Sequence, residues 1–334
     1  MIAEVAAVMS EPPPAGISHR PVLVGETVSL LAPRLGAIVV DCTVGLGGHA
    51  RALLAAIGDR GRVLGLDRDA ESLEIAARNL EEFGDRFVPV HADYRDLRRV
   101  LAEKKVGSVD ALLADLGFSS FQIDSADRGF SFRVDAPLDM RMDRSSGKTA
   151  ADLLAELGEN EIATLLRTFG EERSARRIAR ALVEERRRRR VRTTLDLARL
   201  VERTLGARGG ARIHPATRTF QAVRIAVNRE LEGLEEFVRE ACSILAAGGR
   251  AAFISFHSLE DRIVKQTLRS LSPRCVCPPA FPRCTCGRPG LVESITRRAV
   301  RPGTEEIRAN PRSRSARLRA VRRLPDPAPA GGRS

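Results

Sequence analysis

The segment VVDCTVGLGGHA, residues 39–50, decides the fold class of this sequence. A run rich in β-branched residues leads into a glycine turn, and the turn leads into the helical pattern HARALLAAIG. Gly45, Gly47 and Ala50 match G-x-G-x-x-G/A, the pattern that holds a nucleotide at a helix N-terminus in α/β sheets. The turn therefore predicts a nucleotide-containing ligand and leaves its identity open.

The segments after this turn alternate short apolar runs with helical patterns. RVLGLDRD, FVPVHADY and VDALLADLG are predicted strands, and AESLEIAARNLEEFG has helical spacing. Such alternation is typical of a parallel, doubly wound sheet. The alternation stops after VDALLADLG, and the pattern is helical over residues 149–205 and again over residues 216–249. A strand pattern returns only at RAAFISFHS, residues 250–258. We predict an α/β, Rossmann-like sheet with an all-helical subdomain inserted between its fourth and fifth strands, closed by a hairpin of ESITRRAV and ARLRAVRR.

The predicted domain boundaries follow from this pattern. Residues 18–125 and 216–323 form the sheet domain, and residues 126–215 form an inserted loop and a helical substrate-binding subdomain. Residues 1–17 and 324–334 are predicted to be disordered ends. Residues 1–17 lack the pattern of a signal peptide, and no apolar run reaches the roughly 18 residues of a spanning helix, so a cytoplasmic location is the default expectation.

The net charge of +12 and the pI near 10.5 favour a polyanionic partner. A genome biased toward Arg codons explains arginine in place of lysine, but it does not explain the surplus of bases over acids. A basic helix face is predicted to follow RNA phosphates; it consists of Arg173, Arg176, Arg177 and Arg180. The alternative is a solvated helix that neighbouring glutamates partly neutralise.

Further candidate RNA contacts lie later in the chain. Arg224 and Asn228 share a helical face in TFQAVRIAVNREL and are candidates for RNA or loop contacts. His257 follows the fifth strand in FHSLEDR and is predicted to open toward the same crevice. A Ser-His-acid hydrolase is disfavoured there, because the sequence lacks a nucleophile elbow.

The six cysteines fall into two groups. Cys42 and Cys242 lie in apolar stretches and are predicted to be inert core residues. The others form a C-x-C…C-x-C cluster, which in a cytoplasmic chain indicates metal more than disulfide; they are Cys275, Cys277, Cys284 and Cys286. Because the spacing departs from the usual C-x2-C, zinc and a reduced, proline-stiffened loop remain alternatives.

Acidic and aromatic residues stand where the predicted strands end. Asp67 is placed to accept the ribose hydroxyls of an adenosine, or alternatively to cap the following helix. Asp41 would repel a pyrophosphate and favour an ammonium or sulfonium group. His49 is either a ligand contact or a structural first-turn residue. Tyr94 is placed to cover an adenine face or to pack on the sheet.

The segment ADLGFSSFQID, residues 114–124, occupies the place where amino-group methyltransferases carry an acid-Pro-Pro-aromatic motif. The exocyclic amine of cytosine is a poor nucleophile, since its lone pair is delocalised into the ring. Asp115 accepting an N–H bond would localise that pair, and Phe118 would hold the base for in-line attack. Leu116 and Gly117 replace the two prolines, so Asp115 is also a candidate cofactor contact.

Residues from about 18 to 323 resemble the MraW-type (RsmH) family of bacterial 16S rRNA cytosine-N4 methyltransferases. The matching blocks occur in one order; they are SHRPVL, TVGLGGHA, DLGFSS, RGFSF…PLDMRMD, TFQAVRIAVNREL, FISFHSLEDRIVK and NPRSRSARLR.

This resemblance implies the class I S-adenosylmethionine-dependent methyltransferase fold and no catalytic metal. It implies a cytidine in the decoding (P-site) region of 16S rRNA as target, the small ribosomal subunit as substrate, and a homodimer. It also implies that S-adenosylmethionine is held by Gly47, Gly48, His49, Asp67, Asp115 and Gln122, with an aromatic residue at the position of Tyr94.

Two other functions remain alternatives at this stage. The glycine turn alone would fit an NAD-binding Rossmann oxidoreductase. A ribosome-binding assembly factor without catalysis is the second alternative, although the intact acidic residues and glycines argue against it.

Overall fold

The computed structural model describes residues 21–206, 214–273, 277 and 290–326. Seven strands form one sheet in the order β3-β2-β1-β4-β5-β7-β6. The strands are β1 (Ile38–Asp41), β2 (Arg62–Asp67), β3 (Phe87–His91), β4 (Val109–Asp115), β5 (Leu245–Ser255), β6 (Val292–Ser294) and β7 (Arg317–Arg323).

The first five strands pair in parallel, and β7 runs antiparallel to both β5 and β6. The predicted α/β class and the closing hairpin are therefore confirmed. β4 has the continuous apolar pattern of a strand that is covered on both faces, and Ala111 to Ala114 are fully buried in it.

Helices connect the strands and form the insertion. They are α1 (Val24–Leu31), α2 (Gly48–Ile57), α3 (Ala70–Asn79), α4 (Leu97–Glu103), α5 (Ser120–Asp124), α6 (Ala150–Glu156), α7 (Glu159–Gly170), α8 (Ala175–Arg188), α9 (Thr194–Leu205), α10 (Thr217–Asn228), α11 (Leu234–Ser243), α12 (Ser258–Leu271) and α13 (Thr304–Ala309). In the part of the chain that is described, no helix combines the length and the apolar character needed to cross a membrane.

Three predicted elements differ in extent. The helical run over residues 216–249 is wrong as one segment, because left-handed backbone at Arg229 (φ 52°) and Gly233 (φ 70°) separates α10 from α11 and the chain enters β5 at Leu245. β5 thus begins before the predicted residue 250. α3 ends at Asn79 rather than at Gly84, and a 3-10 segment, Glu81–Arg86, follows it.

The chain forms two compact units, each with its own packing. Unit 1 is made of the described parts of Met1–Gly117 and Gly233–Ser334 and holds the whole sheet. Its main apolar cluster joins α1 and α2 to the sheet through residues such as Leu53 and Val39.

Unit 2, Phe118–Glu232, is helical and has a separate apolar cluster that includes Ile162, Leu166 and Ile178. Unit 2 therefore begins before residue 126 and extends past residue 215, because α10 packs on α7. At that contact Gly170 approaches Arg218 so closely that an added Cβ would lie 2.6 Å from its carbonyl oxygen.

The division into a sheet domain and a substrate-binding subdomain stays a prediction. The predicted disordered ends are 1–17 and 324–334. Residues 1–17 and 327–334 lie outside the described residues, whereas the amide of Leu324 donates to the carbonyl of Leu291 at 3.0 Å and so continues the ordered chain past residue 323.

Candidate active site at the carboxyl edge of the sheet

The carboxyl edge of the sheet, formed by the ends of the parallel strands, holds three aspartates of unit 1. Asp41, Asp67 and Asp115 are the last residues of β1, β2 and β4, which are neighbours in the sheet. Because parallel strands end on one side, this edge is where α/β sheets bind ligands.

The glycine turn between β1 and α2 is held by Asp67. The amide of Gly45 donates to Oδ2 of Asp67 at 2.7 Å, and the amide of Asp69 donates to Oδ1 at 2.8 Å. The N-cap of α3 is Asp69. The capping role considered for Asp67 therefore belongs to its neighbour, and Asp67 instead links the end of β2 to the turn.

The two glycines predicted to contact the donor have different structural constraints. Gly47 caps α2 with a left-handed backbone, φ 89°, which favours glycine. Gly48 has an ordinary backbone, but an added Cβ would lie 2.7 Å from the side chain of Pro21. The close approach of chain segments here, and a turn free of side chains, fit a ligand that contacts the backbone.

Thr43 links Asp41 to Asp115. Its amide donates to Oδ1 of Asp41 at 3.1 Å, and its hydroxyl accepts from the amide of Asp115 at 2.6 Å. Oδ2 of Asp41 and Oδ1 of Asp115 are buried and have no hydrogen-bond partner among the described residues. A buried carboxyl oxygen is normally paired, so these two atoms fit a site that binds a polar or cationic group.

His49 lies in the first turn of α2 and is buried. Its Nε2 lies 2.9 Å from the carbonyl oxygen of Val22, and its Nδ1 lies 3.6 Å from Oδ2 of Asp115. The imidazole thus connects the segment before α1 to Asp115. His49 therefore has a structural role, the link between Val22 and Asp115, and its contact with the donor stays a prediction.

Burial perturbs all three carboxyls. Desolvation raises the pKa of Asp41 to about 7 and that of Asp67 to about 6, although backbone hydrogen bonds from Thr43, Asp69 and Gly45 oppose it. The pKa of Asp115 is raised well above its ordinary value by burial and by the nearby carboxylates of Asp41 and Glu260. Further negative charge at this edge is costly and positive charge is favoured, so a sulfonium fits better than a pyrophosphate.

Glu260 and His257 close the edge beside β5. The backbone amides of Phe256 and His257 donate to Oε2 of Glu260, and Nδ1 of His257 accepts from the amide of Glu260 at 3.4 Å. The two side chains also meet at 3.1 Å between Nε2 and Oε1. His257 therefore acts as the N-cap of α12, and its predicted RNA contact is untested.

Tyr94 packs against another aromatic ring, and Gln122 caps a helix. Tyr94 lies in a 3-10 turn after β3, with its ring centroid 4.4 Å from that of Phe237 on α11. Gln122, in unit 2, is buried and forms the capping box of α5 with Ser119. Their predicted donor contacts stay predictions, and packing accounts for part of the Tyr94 ring.

Phe118 in unit 2 forms an aromatic group with two partners. The guanidinium of Arg224 lies 4.1 Å from the Phe118 ring centroid, and the Phe130 ring is stacked at 5.6 Å. Nε and Nη2 of Arg224 each donate to Glu230 at 2.9 Å. Arg224 is thus a neutralised, largely buried cation that orients an aromatic ring, a role that the helical spacing did not indicate.

The remaining RNA candidates in unit 2 divide into buried and exposed residues. Asn228 is buried, accepts from the amide of Met142 at 2.8 Å, and donates to the carbonyl of Met140 at 2.7 Å. These are the loop contacts that were one of its two predicted roles. The four arginines of the predicted basic face are exposed, but only Arg176, Arg177 and Arg180 lie on α8; Arg173 precedes this helix, which begins at Ala175.

Three of the six cysteines are among the described residues. Cys42 and Cys242 are buried as predicted, and burial raises the pKa of the Cys242 thiol to about 12, which keeps it unreactive at neutral pH. Cys277 is partly exposed. Cys275, Cys284 and Cys286 lie outside the described residues, and the zinc prediction is untested.

Comparison with known proteins identifies the family. The profile of the MraW methylase family matches residues 16–324. The chain is 52% identical over 307 residues to the ribosomal RNA small subunit methyltransferase H of Syntrophotalea carbinolica, covering 92% of this chain and 98% of that protein. It is 50% identical over 320 residues to the protein of the same name from Syntrophobacter fumaroxidans, covering 95% of this chain and all of that protein. The chain belongs to the MraW methylase family.

Proposed function

We propose that the protein transfers a methyl group from S-adenosylmethionine to N4 of a cytidine in the decoding (P-site) region of 16S rRNA, on the small ribosomal subunit. Membership of the MraW family makes it an rRNA small-subunit methyltransferase, with S-adenosylmethionine as cofactor. The cytidine, its N4 atom and the assembled subunit are the proposed part. The observation that carries the proposal is the placement of Asp115 at the end of β4, where its buried Oδ1 has no hydrogen-bond partner among the described residues and can accept an N–H bond from an amine.

The donor-binding residues of the proposal lie mainly around the glycine turn. Gly47 and Gly48 lie at the N-terminus of α2, where backbone amides suit a ligand, and Asp67 is placed at a strand end where an acid accepts ribose hydroxyls. Asp41 offers a buried carboxyl oxygen to a positive group. His49, Tyr94 and Gln122 complete the proposed set. S-adenosylmethionine supplies a methyl group activated by a sulfonium.

The methylation step needs an amine whose lone pair is held toward the methyl carbon. As the N–C bond forms, the bond from the methyl carbon to sulfur breaks. S-adenosylmethionine would supply the methyl group and leave as the neutral thioether, S-adenosylhomocysteine, which keeps the electron pair of the broken bond, and the proton released by the methylated amine would pass to water. Asp115, as a carboxylate, accepts a hydrogen bond from the amine and thereby orients the lone pair. Since burial and neighbouring carboxylates raise its pKa, a nearby positive charge is what keeps Asp115 ionised for this task.

Phe118 is proposed to position the cytosine ring. Its orientation is supported by the Arg224 guanidinium and by Phe130, so the ring is held before any base arrives. The exposed arginines of α8 are proposed to bind phosphates of the same RNA. A cytoplasmic location and a homodimer remain part of the proposal.

The test supplies radiolabelled S-adenosylmethionine with naked 16S rRNA, immature small subunits and mature small subunits, and then maps the modified nucleotide. We expect N4-methylcytidine in the decoding region and preference for assembled subunits. Asp115→Ala should abolish transfer, whereas Asp85→Ala, at an exposed carboxyl remote from the glycine turn in sequence, should leave it unchanged. Methylation of another atom or region would overturn the assignment, and subunit binding without methyl incorporation would favour the non-catalytic assembly factor.

A further inference from the structure

The connection between β6 and β7, residues 295–316, is strongly basic. It contains six arginines against two glutamates, Glu305 and Glu306. Five of the arginines are exposed and form no ion pair with any described residue; they are Arg297, Arg298, Arg301, Arg308 and Arg314. We call these five residues the connection arginines.

The strand register places this connection at the carboxyl edge of the sheet. β7 is antiparallel to β5, and its first residue, Arg317, pairs with Ser255 at the carboxyl end of β5. Val300 pairs with Leu318, so the chain leaving β6 runs along β7 toward the same edge. The turn between Val300 and Arg317 therefore stands at the edge that holds Asp115 in unit 1.

Ion pairs at the start of β7 and a hydrogen bond from Leu23 to Glu306 hold the connection in place, and the connection arginines stay exposed. Arg317 and Arg319 pair with Asp261 on α12 at 2.8 and 2.7 Å. Glu306 accepts from the amide of Leu23 at 2.8 Å, next to Val22, whose carbonyl contacts His49. One of the two acids of the connection is thus occupied, and the excess positive charge is not cancelled locally.

Exposed arginines without acidic partners repel one another, and binding a polyanion relieves this repulsion. The guanidinium group also donates paired hydrogen bonds that match the geometry of a phosphate. We infer that the connection arginines form a second RNA-binding surface, which contacts phosphates flanking the target nucleotide beside the donor site. This inference rests on the proposed function for the identity of the RNA. It assigns RNA binding to unit 1 as well as to the basic face of α8 in unit 2.

The inference is tested by removing three positive charges at this edge and comparing RNA binding with that of a variant that loses three positive charges elsewhere in unit 1. The test variant is Arg301→Gln/Arg308→Gln/Arg314→Gln. The matched control is Arg60→Gln/Arg62→Gln/Lys104→Gln, whose residues are also exposed; Arg62 begins β2, at the opposite edge of the sheet. Binding is measured on small subunits from cells that lack the methyltransferase, over a range of salt concentrations.

We expect the test variant to bind subunits at least about 10-fold more weakly, with the slope of log K against log salt reduced by about 2 for three lost contacts to unpaired RNA. KM for subunits should rise more than kcat falls, and the affinity for S-adenosylhomocysteine should stay unchanged. Arg301→Lys/Arg308→Lys/Arg314→Lys should restore most of the binding, because it keeps the charge.

Two results would overturn the inference: wild-type subunit binding by the test variant, or an equal loss in the control variant. Both are independent of where the methyl group is placed. A methylation map of the wild-type protein that contradicts the proposed cytidine would count against the proposed function alone, since subunit binding by the variants is read without catalysis.

Discussion

At the scale of single residues, the site depends on carboxyl groups that lose water on folding. Asp41 is fully buried, and one of its oxygens receives a hydrogen bond from Thr43 while the other has no partner among the described residues. A buried carboxylate without a counter-charge is unstable, so the donor-free protein favours the protonated form. A cationic ligand would therefore be bound more tightly by the ionised carboxyl, whereas in the donor-free protein the same buried carboxyl lowers the free energy of unfolding once it ionises.

Asp41→Asn should stabilise the donor-free protein increasingly as the pH rises from 5 to 8. Because folding raises the pKa of Asp41 from 3.8 to about 7, the folded state holds a proton that the unfolded state releases, and stability falls as pH rises through this window. The asparagine, which cannot ionise, avoids this loss, which is at most about 4 kcal/mol over the whole window, of which about 2–3 kcal/mol falls between pH 5 and 8. Urea unfolding at several pH values measures it. Asp85→Asn, at an exposed position, is the control, and a difference independent of pH would contradict the prediction.

Asp67→Asn should weaken binding of S-adenosylhomocysteine. A hydrogen bond to a charged group contributes about 1.5–3 kcal/mol, so a loss of roughly 10- to 100-fold in affinity is expected if Asp67 accepts the ribose hydroxyls. Calorimetric titration measures this, with thermal unfolding to verify that the glycine turn, which Asp67 also holds through Gly45, still folds. Unchanged affinity would remove Asp67 from the donor-binding set.

At the scale of elements, the ends of β1 and β4 act together. Asp41 and Asp115 end strands that pair in parallel, and the carboxylate of Asp41 raises the pKa of Asp115. The neighbouring charge that raises the pKa of Asp41 is that of Asp67, at the end of β2. The carboxyl groups at these strand ends therefore titrate together, and their apparent pKa values describe the group and not one residue.

The affinity ratio between S-adenosylmethionine and S-adenosylhomocysteine should therefore rise with pH. The sulfonium of the donor favours ionised carboxyls, whereas the neutral thioether of the product does not. Between pH 5 and 8, donor binding should gain severalfold over product binding as the proton on Asp41 is lost. Titrations of both ligands at each pH measure the ratio, and Asp41→Asn should flatten it. A flat ratio in the wild-type protein would place the sulfonium away from Asp41.

Gly170→Ala should destabilise the packing of α7 on α10 by about 1–3 kcal/mol. The added Cβ would meet the Arg218 carbonyl oxygen at 2.6 Å and the Ala222 side chain at 3.1 Å, and backbone cannot give way cheaply. Gly107→Ala is the matched control, since nothing lies within 4 Å of the position of its added Cβ. Chemical denaturation of both variants tests the prediction, which fails if the two lose equal stability.

At the scale of the whole molecule, the described residues include an apolar cluster on the sheet and a separate one in the helical unit. Separate cores allow the two units to differ in local stability. Within unit 2, Leu166 is fully buried in the cluster of α7, α8, α9 and α10.

Leu166→Ala should cost about 2–5 kcal/mol through the cavity it leaves. Amides of α7 to α10 should then exchange faster, while those of β1 and β4 should keep their protection. Hydrogen exchange read by mass spectrometry separates the two regions. Leu53→Ala, in the cluster of unit 1, is the reciprocal control and should affect the sheet first. Equal loss of protection across both units in either variant would show that they unfold as one.

Much of the fold was predictable because local patterns encode it. The strand ends at Asp41, Asp67 and Asp115 follow from apolar runs that stop at an acid, and the insertion follows from the change in periodicity. The break between α10 and α11 was missed, because left-handed backbone at Arg229 has no signal as clear as a glycine or a proline.

The sequence by itself determined the α/β class, the strand that carries each acid, and the motif blocks of the family, because these depend on neighbours along the chain. Only the tertiary structure decided which carboxyls are buried without a partner and that Glu230 neutralises Arg224 above Phe118. Only the strand register decided that the connection arginines stand at the carboxyl edge. The ion pair of Arg224 with Glu230 spans only six residues, but that spacing is not one that helix periodicity predicts. Burial, register and the packing of Arg224 on Phe118 arise from contacts between residues distant in sequence, and no local pattern records them.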